Sequence, residues 1–238
     1  MNKTFTLLLT LLFAFILITR LVNGKSIEVI GHRGSPYKKV GNTIESIHSA
    51  WKNGDASETD LQITTDETIV LFHDDYIGHA GFFDPNGKQQ LISKYTFKEL
   101  EQATFNQNQL EKELSVQGGK KISLHLNKIP HINKLDDILP IPKNKKLYLE
   151  LKCLNQPPEY KHKLSKAAVD WVSNNSRGSE IIIISFDPEC LILSKERDPK
   201  IITGLLTKDL TKKCKGIINS QQQILNRIFI TSLQIHLK

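Results

Sequence analysis

The chain has 238 residues, enough for one large domain or two small ones, and its hydrophobic and charged fractions are ordinary for a globular protein. A formal net charge of +7 points towards a polyanionic partner until the charges are located. Lys3 and Arg20 carry part of the excess, and Lys208, Lys212, Lys213, Lys215, Arg227 and Lys238 against Asp209 carry the rest. Residues 25–200 are therefore neutral overall and hold no basic, aromatic-interleaved stripe, which excludes nucleic acid as the partner.

Residues 5–18 form an uncharged apolar run between Lys3 and Arg20. The run is short for a membrane span and fits a secretory signal peptide over residues 1–24, with cleavage after Val22-Asn23-Gly24. The alternative is an uncleaved signal anchor, which would hold the chain against a membrane. A secreted or secretory-pathway protein is the expectation, and the glycosylation sequon Asn174-Asn175-Ser176, placed in a helix-to-strand loop, agrees with it. Three cysteines (Cys153, Cys190 and Cys214) leave at least one unpaired; Cys153 and Cys190 each follow a predicted strand, so a bridge between them is geometrically admissible.

Ile27–Gly31 reads as a short extended segment that stops at Gly31, with His32-Arg33-Gly34 directly after it. Asn42-Thr43-Ile44-Glu45 reads as a capping box with Asn42 as the cap, opening a helix that carries Ile44, Ile47, Ala50 and Trp51 on one face and ends at Asn53-Gly54. A strand over Ala56–Ile63 puts Glu58 and Asp60 two residues apart, on one face. Thr68–Phe72 is a third strand, ending on His73-Asp74. The link from Asp60 to Ile69 is too short for a helical crossover, so this pair is not a regular parallel unit.

Two carboxylates on one face of a buried strand repel each other, and a proton or a cation must settle the site. A hard divalent cation suits an all-oxygen pair, while an arginine and two histidines suit a phosphate. The bland reading is a solvated strand edge. Having His32, Arg33 and His73 all at strand ends within ninety residues weighs against it.

Further on, Pro85-Asn86-Gly87 marks a turn and Thr96-Phe97-Lys98-Glu99 a second capping box. Residues 106–121 are polar and Gln/Asn-rich and read as a surface excursion, with His79, His125 and His131 in or beside it as surface residues. A short helix over Asp136–Leu139 precedes Pro140 and Pro142. Leu147–Cys153 is a fourth strand with Tyr148, Glu150 and Lys152 on the face opposite its leucines; Glu150 with Lys152 reads either as an ion pair or as part of the acidic site. Glu159–Asn174 is an amphipathic helix, and Ile181–Ser185 is an apolar strand of the kind buried on both faces. Phe186 is either a pocket floor or a core residue. A helix from Asp187-Pro188 and a strand over Ile201–Leu206 follow.

H-R-G, N-T-x-x-S, E-x-D and H-D, in this order and spacing, resemble the glycerophosphodiester phosphodiesterase family, and I-P-H-I-N-K-L-D-D-I-L, L-Y-L-E-L-K and I-I-S-F-D-P resemble its next segments. The likeness runs from about Ile27 to Leu206. It implies a TIM-type (β/α) barrel with its site at the C-terminal ends of the strands, which the alternation of strands and helices also favours. The domain is then expected over residues 25–206, with 207–238 a basic tail atypical for the family. Counterparts of the family's W-T-V-N-like and G-V-D-G-I-x-T-D-like closing strands are missing, so an incomplete barrel, from a truncated or alternatively spliced product, is expected.

The resemblance implies hydrolysis of glycerophosphodiesters to an alcohol and glycerol phosphate. It implies one Mg²⁺ or Ca²⁺ on Glu58, Asp60 and Glu150, phosphate contacts from Arg33 and Lys152, and acid–base work by His32 and His73. Two alternatives stand beside it: a lysophospholipase D acting on lysophospholipids, and a non-catalytic remnant of the family.

Overall fold

The computed structural model describes residues 28–176 and 180–207. The expected signal segment over residues 1–24, residues 208–238 of the expected tail and Cys214 lie outside these residues. The elements in chain order are β1 (Ile30–Gly31), α1 (Ile44–Asn53), β2 (Ala56–Ile63), β3 (Ile69–Leu71), β4 (Phe82–Phe83), α2 (Phe97–Leu100), β5 (Thr104–Phe105), α3 (Gln107–Gly118), β6 (Lys146–Leu151), α4 (Pro158–Asn175), β7 (Glu180–Ser185), α5 (Pro188–Arg197) and β8 (Ile202–Leu205). Short 3₁₀ turns over Ile92–Lys94 and Leu135–Ile138 interrupt the longer connections.

Five strands pair in parallel in the order β1-β2-β6-β7-β8, and β3 adds to β2 antiparallel. This α/β architecture is a TIM-type barrel wall; among the described residues it is open, with β1 and β8 as its ends. The antiparallel β3 accounts for the short link after β2: Thr64 N–H and Glu67 N–H close a tight turn, and Phe72 N–H then donates back to the Asp60 carbonyl at 3.0 Å.

The alternation along each strand sorts the core into layers. Leu147, Leu149 and Leu151 of β6 pack with Leu61 and Ile63 of β2 against the helices, where Ile47 and Trp51 of α1 and Leu164, Ala168 and Val172 of α4 meet them. On the other face Ile30, Ala56, Tyr148, Ile182 and Ile184 form a small inner cluster. β7 is buried on both faces, as its unbroken apolar run predicts. A second core cluster forms outside the sheet, where Phe72, Ile77, Phe82, Tyr95, Leu100, Leu110 and Leu114 close over β3.

Three local readings change. The N-cap of α1 is Thr43, whose hydroxyl accepts from Ser46 N–H, while Asn42 sits at φ +58° and turns its amide elsewhere. Glu45 does not reach back to the cap but pairs with Lys128 at 2.6 Å. Residues 106–121 are not an irregular excursion but mainly the helix α3, capped by Asn106 and ended by Gly119 at φ +63°; two leucines a turn apart, Leu110 and Leu114, are enough to dock it. The sequon asparagine Asn174 lies exposed in the last turn of α4 rather than in a loop. The Thr96/Glu99 capping box forms as read, and Cys153 and Cys190 are disulfide-bonded.

Candidate active site

The parallel register of β2 and β6 sets Asp60 beside Glu150, and the two-residue spacing sets Glu58 on the same face as Asp60. One oxygen from each of the three carboxylates lies within 4.8 Å of the others, and the residues are only 1%, 0% and 6% exposed for Glu58, Asp60 and Glu150. A one-residue slip of either strand would turn its acids to the helix layer, so the leucines that fix the register also assemble the triad.

The loop after β1 folds over this cluster. Arg33 takes φ +54°, its backbone N–H donates to Glu58 Oε2 at 2.8 Å, and its Nε lies 3.4 Å from Asp60 Oδ2. Gly34 follows at φ +77°, where a Cβ would stand 2.4 Å from the backbone of Ser46, so the third position of H-R-G admits only glycine. Ser46 ties the two motifs together: its hydroxyl donates to the Arg33 carbonyl at 2.9 Å and accepts from Ser35 N–H at 2.7 Å.

Asn42 braces the acids. Its amide nitrogen donates to Asp60 Oδ2 at 2.9 Å, while its oxygen accepts from Asp60 N–H at 3.0 Å and from the Thr59 hydroxyl at 2.8 Å. Gln62, the next residue on the Glu58/Asp60 face, donates to the Asp74 carbonyl at 2.6 Å and so fixes the backbone that carries His73. Asn42 and Ser46 stand in the N-T-x-x-S motif, though the motif does not show that Asn42 braces Asp60; for Gln62 the period-two continuation of the strand is the only signal. His73 Nδ1 sits 3.0 Å from Asp74 Oδ1. His32 Nε2 is 3.9 Å from Glu58 Oε2. Lys152 bonds Glu150 at 2.9 Å and stands 3.5 Å from Asp60 Oδ1.

The electrostatics follow from burial and spacing. Burial, then the neighbouring Asp60 charge, pushes the Glu58 carboxyl well above its ordinary range, and the same two causes raise Glu150. Burial works on Asp60 too, but His73, Lys152, Arg33 and the Asn42 hydrogen bond outweigh it and hold that carboxyl low. Burial and the Arg33 charge bring the His32 imidazole down to about 4, so it is neutral at physiological pH. Lys152 is held charged by Asp60 and Glu150 against its own burial.

Were all three carboxyls ionised, the two permanent cations Arg33 and Lys152 would leave one negative charge uncompensated. Like charges at this separation repel by about 3 kcal/mol per pair even in a fairly polarisable interior. Glu58 Oε1 is buried without a hydrogen-bond partner, and Asp60 Oδ1 makes no hydrogen bond and has only the Lys152 ammonium 3.5 Å away. Under-satisfied oxygens from a hard, all-carboxylate donor set are the arrangement a divalent cation completes, so these residues fit a metal site. Such an ion turns the local charge from one negative to one positive, which a phosphodiester monoanion would cancel.

All seven residues singled out in the sequence therefore meet at one place: Glu58, Asp60 and Glu150 in the triad, with Arg33, Lys152, His32 and His73 around it. His32, Arg33 and His73 line a cavity of about 480 Å³ together with Glu150, Lys152 and the half-buried Phe186. His79, read as a surface residue, is exposed and lines a second cavity that shares His32, Arg33 and His73 with the first.

Comparison with solved structures shows the same fold. A phosphodiesterase from Oleispira antarctica in complex with the product sn-glycerol-3-phosphate is 22% identical with a TM-score of 0.62, the match covering 81% of this chain and 71% of that one. A glycerophosphodiester phosphodiesterase from Thermotoga maritima is 19% identical with a TM-score of 0.56, covering 84% and 71%. One from Parabacteroides distasonis is 21% identical with a TM-score of 0.55, covering 84% and 78%. No curated protein matches the chain in sequence. The model of the glycerophosphoryl diester phosphodiesterase family matches residues 32–236, running past Leu206 into the stretch that the sequence reading set apart as a tail. With that match over most of its length, and the family's motifs converging on one buried acidic site, the chain belongs to the glycerophosphoryl diester phosphodiesterase family, a class of phosphoric diester hydrolases.

Proposed function

We propose that the protein hydrolyses glycerophosphodiesters to an alcohol and glycerol phosphate in a reaction that depends on one divalent cation, Mg²⁺ or Ca²⁺. The observation that carries this reading is the buried triad of Glu58, Asp60 and Glu150 with two oxygens that make no hydrogen bond, placed beside Arg33 and Lys152. The three acids would hold the cation, which supplies Lewis-acid polarisation of the phosphoryl oxygen when bound.

The rest is work for this chain's own side chains. Arg33 and Lys152 offset the phosphate charge and the further charge that builds up as phosphorus is attacked. One of His32 and His73 takes the proton of the attacking hydroxyl, and the other returns a proton to the departing alkoxide. Asp74 orients His73 for this transfer. The buried disulfide supports maturation in an oxidising compartment, in keeping with a secretory or extracellular location.

Hydrolysis of glycerophosphocholine by the purified protein, with Mg²⁺ or Ca²⁺ and with excess chelator, tests the proposal. Turnover should require the metal, and Glu58→Gln should lower kcat at least about a hundredfold in a chain that still melts cooperatively. Undiminished turnover in chelator, or in the variant, would reject it. Lysophosphatidylcholine run in parallel separates this substrate class from lysophospholipids.

A further inference from the structure

The apolar run of β7, Ile181 to Ile184, ends on a serine. Ile181 and Ile183 face the helix layer with Leu147, Leu149 and Leu151 of β6, and the two-residue period carries Ser185 to the same side. It is wholly buried there. A hydroxyl in an apolar layer is unfavourable unless it finds hydrogen-bond partners. Ser185 Oγ donates to the Leu151 carbonyl at 2.9 Å and accepts from Asp187 N–H at 3.1 Å.

Each bond ends beside a residue of the site. The Leu151 carbonyl belongs to the peptide unit whose nitrogen is that of Lys152, and the N–H of that unit donates to the Leu61 carbonyl of β2 at 3.2 Å. The backbone entering Lys152 is thus held from both neighbouring strands. The paired positions of β6 and β7 run only as far as Glu150 and Ile184, so the Ser185 hydroxyl takes over where that pairing stops. On its other side Phe186 stands between Ser185 and Asp187, inside the short turn that leads into α5. Lys152 and Phe186 both line the cavity of about 480 Å³. The bond to Asp187 alone is a local turn of the kind serines make; the bond to Leu151 crosses to another strand, and such a turn does not require it.

We propose that Ser185 is a positioning residue of the active site, which holds the Lys152 backbone and the turn carrying Phe186 in one fixed arrangement. The inference rests on the phosphodiesterase reading and adds to it a residue outside the cavity. The hydrogen bonds of Ser185 go to neither the acids nor the histidines, so it acts through Lys152 first and Phe186 second. A lysine stem turns a small tilt of its own peptide into a larger displacement of the ammonium, and misplacement on the scale of an ångström is enough to weaken a phosphate contact. The acids are secured differently. Asp60 and Glu150 are set by the register of β2 and β6, and Asp60 also by the Asn42 amide, so the triad does not depend on this hydroxyl.

Ser185→Ala removes a single buried oxygen and breaks both bonds. With Mg²⁺ or Ca²⁺ present, calorimetric titration of glycerol phosphate and hydrolysis of glycerophosphocholine are compared in wild type, Ser185→Ala, Lys152→Met and the double variant. Ser185→Ala should weaken glycerol phosphate binding and lower kcat/KM about tenfold each, while metal affinity stays within about twofold of wild type. In the Lys152→Met background the further loss of glycerol phosphate binding should shrink to about threefold or less, the part that Phe186 carries. Unchanged kcat/KM in Ser185→Ala, or losses that simply add in the double variant, would overturn the positioning role and leave the phosphodiesterase reading intact. A metal affinity that falls in step with turnover would also overturn it, since that marks a general loosening of the strands. No hydrolysis by the wild type would remove both.

Discussion

Asn42 ties together three buried groups of β2. Its amide satisfies one oxygen of Asp60, the backbone N–H of Asp60 and the hydroxyl of Thr59, all in the buried interior. Asn42→Ala should lower metal affinity and turnover about 10–100-fold while the fold persists, checked by calorimetric metal titration alongside the hydrolysis assay. Gly34 carries a different demand, because both its φ and the Ser46 backbone at 2.4 Å exclude a side chain. Gly34→Ala should cost more than about 2 kcal/mol of unfolding free energy by denaturant titration, or prevent folding outright. A change within 0.5 kcal/mol, roughly the scatter of surface substitutions, would count against this account of the H-R-G turn.

The acids, histidines, Arg33 and Lys152 were legible from the sequence because strand alternation and strand ends confine them to one face and one rim. Asn42 was misread as a cap. N-T ahead of an apolar helix offers two good cap residues, and only the buried demands of Asp60, across the sheet, decide that Thr43 takes the cap. Gln62 was missed for the same reason, since its partner is a carbonyl of another segment.

At the scale of elements, the long parallel units were legible and the irregular ones were not. β2, β6 and α4 fall within a residue or two of their expected spans, since apolar period and flanking turns mark them strongly. The sequence does not mark helix α3 because it buries only Leu110 and Leu114 and, apart from the exposed Val116, is polar elsewhere, so its composition resembles a loop. The short link after β2 was correctly barred from being a crossover, but only the structure shows that β3 turns back antiparallel.

The Cys153–Cys190 bridge joins the end of β6, just past Lys152, to the first turn of α5. It closes a loop across 37 positions, for which unfolded-chain entropy alone gives about 4 kcal/mol. Cys153→Ser with Cys190→Ser should therefore cost about 2–4 kcal/mol and lower Tm by about 5–15 °C. Calorimetric melts of variant and wild type would show it. A shift below about 2 °C would mean that the packing of α4 and α5 holds this end of the sheet unaided.

For the whole molecule, the described part of the barrel already contains everything the proposed chemistry uses. β2 and β6 supply the acids, the loop after β1 carries His32 and Arg33, the segment after β3 carries His73 and the end of β6 carries Lys152, while β7 extends the same sheet with apolar residues and β8 closes its described edge. The activity of the chain thus turns on whether the triad gathers one ion. Calorimetric titration of Mg²⁺ or Ca²⁺ into chelator-stripped protein, wild type against Glu150→Gln, measures this most directly. The account predicts one ion per wild-type chain and an affinity at least about tenfold weaker in the variant. No saturable binding to the wild type, or equal affinity in both, would contradict it.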